Sequence, residues 1–165
     1  MAIYLFGIKS VSYGVAASSN YMPASAAMTM LPDTVKGSVT IDETEGSTTK
    51  FFVDQKYTPV RVVKTDQGEL TAVAQFYDMA FANIAALKGG TGNASGYTPA
   101  TGYTDITLAV KILMDSGHTL DMYNASIAAR ITGGGGRDKL FALEAKFTPQ
   151  LTADNAGSWK IYPTV

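Results

Sequence analysis

The sequence predicts a mainly β fold of the α+β kind: an antiparallel β-sandwich or barrel of about eight strands with one short flanking α-helix. Three observations carry this expectation. Apolar and polar residues alternate at period two along most of the chain. One segment, residues 79–88, switches to helical spacing. Glycine-rich or polar stretches of turn composition separate the runs. The length of 165 residues suits one domain, 1–165, with one sizeable core.

Taken in order, "AIYLFGI" reads as a first strand. Residues 15–34, "VAASSNYMPASAAMTMLPDT", show no clear period and read as a long loop, which is uncommon in a compact domain and often functional. "VKGSVTID" places Val35, Val39 and Ile41 on one face. "PVRVVK" is short, with Pro59 at its start, where a missing N–H is tolerated. In "ELTAVAQFY", Leu70, Ala72, Ala74 and Phe76 align. "DMAFANIAALKGG" is the helix, with Asp78 as N-cap, Gly89 as terminator, and Phe81, Ile84 and Leu87 as the face expected to dock on the sheet. Residues 89–104 hold five glycines and read as a flexible tip. "DITLAVKILM" aligns Ile106, Leu108, Val110, Ile112 and Met114. "SIAARIT" and "DKLFALEAKF" follow, the second aligning Phe141, Leu143, Ala145 and Phe147. "SWKIYP" closes the set.

Composition narrows the function. Thirteen Lys and Arg against 14 Asp and Glu give a net charge of −1, so there is no basic footprint for tight nucleic-acid binding. Cysteine is absent, which excludes disulfides, a thiol nucleophile and thiolate metal sites. Charged residues make up only 16%, low for a soluble monomer, and burial in an assembly would remove that liability. The first residues lack a basic n-region and read as a poor signal peptide. No apolar run is long enough for a transmembrane helix. The acceptor patterns at Asn93 and Asn124 read as chance matches.

No stretch carries recognisable chemistry. The run "ITGGGGRDKLF" lacks the second glycine and the Ser/Thr of a phosphate-binding loop, and a strand follows it instead of a helix. Gly133–Arg137 therefore reads as a hairpin loop between two alternating runs. "GGTGNASG" places the helix before the loop, the reverse of a dinucleotide fingerprint. His118, the only histidine, sits in turn composition, and one His without Cys does not make the usual zinc site. Asp42, Glu43 and Glu45 form an acidic cluster without a calcium-loop pattern. No cofactor, metal or catalytic residue is expected.

Two segments read as subunit contacts. From residue 16 to 32 there is no charged side chain, while Tyr21, Met22, Met28, Met30 and Leu31 supply the residue types enriched at interfaces. The stretch 42–50, with Glu43, Glu45, Thr48 and Lys50, reads as a polar hairpin tip joining "VTID" to "FFVD" and able to reach a neighbour.

The order of elements, the low charge and two stretches carry a resemblance. "VKGSVTIDETEGSTTKFFVDQKYTPVRVVKTDQGELTAVAQFYDM" and "LDMYNASIAARITGGGGRDKLFALEAKFTP" are similar to corresponding parts of the tail tube proteins of long-tailed phages, a family that shares its fold with the tubes of contractile injection systems and type VI secretion. The resemblance spans residues 35–162. It implies a non-enzymatic virion protein forming hexameric rings that stack around an axial channel, with other tail proteins as partners and DNA passing through without specific binding. It implies a virion tail location after synthesis in the bacterial cytoplasm, and it places inter-ring contacts on a hairpin such as 42–50. A secreted β-sandwich binding module or adhesin is the alternative, and it needs an exposed aromatic face.

Overall fold

The structure is a computed structural model, and it describes residues 6–66, 68–77, 79–133, 140–155 and 157–164. In chain order the elements are β1 (Ser10–Val15), a 3-10 turn (Ser25–Ala27), β2 (Thr29–Met30), β3 (Thr40–Glu43), β4 (Thr48–Phe51) and β5 (Arg61–Lys64). Then come β6 (Leu70–Phe76), α1 (Phe81–Lys88), β7 (Thr91–Asn93), β8 (Gly96–Thr98), β9 (Thr107–Leu113), β10 (His118–Thr132), β11 (Ala142–Pro149) and β12 (Trp159–Pro163).

The fold is mainly β with one helix, as the alternation predicts. Eight strands form one antiparallel sheet in the order β2-β1-β9-β10-β11-β6-β3, with β12 attached to β10. The 15-residue β10 organises it. Its first part pairs with β12, from His118↔Pro163 to Met122↔Trp159. Its second part pairs with β11, from Ala125↔Pro149 to Thr132↔Ala142. Between Met122 and Ala125 the register against β9 shifts; such irregularities bend a strand and sharpen its twist. Buried residues from strands on both sides of β10 join in one core cluster.

That core draws on both halves: Val11, Val110, Ile112, Leu120 and Met122 from one, and Leu70, Phe76, Leu143 and Phe147 from the other. Phe76 and Phe147 are fully buried, and each such ring contributes about 1.5–3 kcal/mol. The alternation of β6 appears in the structure as strict burial of Leu70, Ala72, Ala74 and Phe76. On the outer face Arg130 holds Glu144 at 2.6 Å, and Gln75 donates to the same carboxylate. The Arg130 hydrogen bond, followed by that of Gln75, keeps the Glu144 carboxyl below its usual range.

Several expectations need correction. The first described strand is Ser10–Val15, not "AIYLFGI"; residues 1–5 lie outside the described residues, and 6–9 form no strand. The helix begins after Ala80, without a side-chain cap, and Asp78 lies outside the described residues. Only Leu87 of the expected docking face is fully buried; Ile84 is half-buried and Phe81 is 45% exposed. The helix is apolar on nearly every side, so spacing alone does not select which residues face inward. Tyr13 fixes the helix instead, its hydroxyl donating to Asn83 Oδ1 at 2.9 Å.

The expected flexible tip at 89–104 contains the β7–β8 hairpin. Ser95 N–H donates to Asn93 Oδ1 in its turn, and Tyr97 donates to the carbonyl of Gly89. Phe141, expected inside, is 67% exposed because β11 begins one residue later. The glycine run from 134, with Arg137 and Lys139, lies outside the described residues; its flanks are antiparallel neighbours, closing on Thr132↔Ala142.

Candidate assembly surfaces

The strand β3 pairs with β6, from Thr40↔Val73 to Glu43↔Leu70, and not with the strand that follows it in sequence. After Glu43 the chain leaves the main sheet, builds the two-stranded unit β4–β5, and re-enters at Leu70. Within that unit Thr48 faces Lys64, Thr49 faces Val63, Lys50 faces Val62 and Phe51 faces Arg61. Its base is closed by Thr44 N–H to Glu69 O at 3.0 Å and Thr65 N–H to Ser47 O at 2.9 Å. The expected hairpin tip at 42–50 is therefore this base and first strand. The distal end spans 52–60, tightened by Lys56 N–H to Val53 O at 3.0 Å.

This arm is the most exposed apolar part of the described residues. Tyr57 is fully exposed, and Phe51, Phe52, Val60 and Val62 are each half-exposed or more. A lone two-stranded hairpin is marginal in water, and clustered apolar side chains on a surface mark a docking site. The sequence predicts "PVRVVK" as a strand and "FFVD" as the far side of a hairpin; their pairing apart from the main sheet leaves no local signal. The arm also carries charge: residues 48–64 hold Lys50, Lys56, Arg61 and Lys64 against Asp54, four minus one, a net +3. The connections at its base hold Asp42, Glu43, Glu45, Asp66 and Glu69 and no basic residue between 42 and 47 or 65 and 69.

The uncharged segment 16–30 is tied to the domain. Ala17 N–H donates to Tyr123 O at 2.8 Å. Met28 and Pro23 pack over Gly14. Tyr21 and Met30 remain 78% and 69% exposed, Met22 and Met28 are half-buried, and Leu31 sits in the core at 4%. Leu31 thus serves its own domain, while Tyr21 and Met30 stay open to a partner. Glu43, Glu45, Thr48 and Lys50 are all exposed, on β3, at the base of the arm and on β4.

Two grooves open into the domain. The larger, about 780 Å³, is lined by the apolar Phe6, Ile8, Val39, Ile41, Met114 and Ile161, with Lys36 and Asp115 also on its wall. It lies between β3 and β12, each of which has a single strand neighbour in the sheet. The smaller, about 330 Å³, lies beneath α1 between Ile84, Ile131 and Phe141.

A polar cluster occupies the outer face of β9–β10–β12. Asp121, 5% exposed, lies between Lys111 and Lys160 on the neighbouring strands. Burial raises its carboxyl above the usual value despite both lysines and the hydrogen bond from Tyr162. Beside it, Thr119 and Thr164 share a hydroxyl hydrogen bond at 2.7 Å. None of these residues lines either groove. His118 opens β10, its Nδ1 3.1 Å from the carbonyl of Ser116. Among the described residues no group of three or more His, Cys, Asp or Glu side chains is arranged to hold a metal ion. No helix among them is long and apolar enough to cross a membrane.

In comparisons with known proteins, no family model matches the chain and no curated protein matches it in sequence.

Proposed function

We propose that this chain is a structural protein that self-assembles into rings, and that the rings stack into a tube of the phage-tail kind through which DNA passes. One observation carries the reading above all: an arm of exposed aromatic and aliphatic side chains that, among the described residues, pairs with no strand of the eight-stranded sheet. Such a surface gains stability only when covered. An arm and a receptor at different places on one molecule make a head-to-tail contact, which closes into rings or propagates along an axis. The exposed Tyr21 and Met30 on the uncharged segment offer a second contact, as two directions of assembly require. The weakly negative total charge suits a channel that must not hold DNA. The alternative, a secreted binding module, would also use an exposed aromatic face; the single tryptophan, Trp159, packs against the core, and the exposed aromatics Phe51, Phe52 and Tyr57 lie on the arm that the assembly reading assigns to a second copy.

Size-exclusion chromatography with light scattering, followed by negative-stain imaging of concentrated protein, tests this reading. Rings or tubes are expected. A protein that stays monomeric at high concentration would overturn it.

A further inference from the structure

We propose that the groove between β3 and β12 is the receptor for the β4–β5 arm of a second copy of this chain. The inference rests on the self-assembly reading and adds to it a specific docking site. The groove is about 780 Å³ in volume and lined largely by apolar residues; among them Phe6 is 64% exposed, and Val39, Ile41 and Ile161 are only partly buried against the core. Among the described residues its two flanking strands each have one outer edge without a strand partner. A complementary occupant is therefore extended, rich in exposed apolar side chains, and able to offer backbone N–H and C=O groups to an edge.

The arm has each property. Both β4 and β5 pair only with each other, so each keeps a free edge. Phe51, Phe52, Tyr57 and Val60 supply exposed apolar side chains. Charge selects the partner further. The arm carries net +3 over residues 48–64, while Asp42 and Glu43 follow Ile41 directly on the strand that flanks the groove; on the wall itself Lys36 and Asp115 offset each other. Opposite charges of this kind steer encounter and fix register. The donor is another molecule because the arm departs after Glu43, at the end of β3 away from the groove-lining Val39, and no residue of the arm is among those that line the groove. Each copy then gives an arm and receives one, so the contact repeats without limit along one direction.

The absence of native cysteine makes a cross-linking test clean. Tyr57→Cys and Lys36→Cys, both at exposed positions, are prepared separately, checked for native circular dichroism, mixed and oxidised. A disulfide between position 57 of one copy and position 36 of another is expected, at a yield about tenfold above that of Tyr57→Cys mixed with Lys146→Cys on the outer face of β11. Reversing Lys56 and Arg61 to Glu in the arm-bearing partner should lower the yield by a similar factor, about tenfold, as expected where charge guides docking. If particles assemble but the 57–36 pair yields no more than the control, the groove is not the receptor and the self-assembly reading stands without it. If the mixed protein sediments only as monomer, the self-assembly reading fails and takes the receptor with it.

Discussion

Tyr162 donates its phenolic hydrogen to Asp121 Oδ2 at 2.9 Å, crossing diagonally from β12 to β10. This hydrogen bond holds the last strand against the longest one. Burial, and then the hydrogen bond to Asp121, push the Tyr162 hydroxyl up from its ordinary value of 10.0 to about 12. The folded state therefore retains this proton more tightly than the unfolded chain. The stability Tyr162 contributes is fully present below pH 10.0 and is lost as pH rises through about 12. Melting followed by circular dichroism should show a steeper alkaline loss in the wild type than in Tyr162→Phe. At neutral pH the same variant should be less stable by about 1–3 kcal/mol, because Asp121 Oδ2 is left buried without its donor. Equal alkaline slopes for the two proteins would show that the pair does not form.

The helix is held by one residue more than by a face. Leu87 is fully buried and Phe81 is 45% exposed. Leu87→Ala should cost about 2–5 kcal/mol, the range for emptying a buried leucine site. Phe81→Ala should cost about 1 kcal/mol or less, since much of its area already meets water. Urea unfolding of the two variants gives the comparison, and a reversed order would mean that the helix is rotated about its axis.

The β7–β8 hairpin lies close against the start of α1. A side chain at Gly92 would run into the carbonyl of Phe81. Gly92→Ala should therefore destabilise by about 1–3 kcal/mol, as overpacking does. Gly102, with open space around it, is the matched control, and Gly102→Ala should stay within about 0.5 kcal/mol, as surface substitutions do. Identical melts for the two would mean that residues 89–104 are not packed on the helix.

These residues also mark what the sequence could and could not disclose. β6 and β9 were legible because one face of each is buried, so apolar residues recur at every second position. β1 was not, because Ser10 and Ser12 are polar and Gly14, though buried, has no side chain, which leaves only Val11 and Tyr13 as an inward signal. The first part of β10 was missed for the opposite reason: Thr119, Asp121 and Tyr123 are buried on one face while Leu120 and Met122 are buried on the other. Alternation disappears when both faces are covered. The candidate surfaces divide in the same way. The uncharged segment stood out by composition alone. The arm required knowing that β3 pairs with β6 across the 26 intervening residues between Glu43 and Leu70, and such non-local pairing leaves no local trace.

The arm separates folding from assembly, and one variant tests that separation. Strands β4 and β5 pair only with each other, and the base is already closed by Thr44 and Glu69. Replacing residues 47–65 with a short Asn-Gly turn should therefore leave the eight-stranded sheet intact. The linkage would run from Gly46 to Asp66, and two-residue turns of this type suit antiparallel strands. Circular dichroism should keep its β signature, and the melting midpoint should stay close to wild type, because none of the removed residues belongs to the core. Sedimentation should show the opposite behaviour, with a shift from large particles to monomer, because the exposed Phe51, Phe52, Tyr57 and Val60 leave with the arm. A milder variant, Phe52→Ser with Tyr57→Ser, keeps the backbone and should weaken assembly in the same direction. Particles of wild-type size from both variants would show that rings and stacks are held by other surfaces, with Tyr21 and Met30 the next to be substituted.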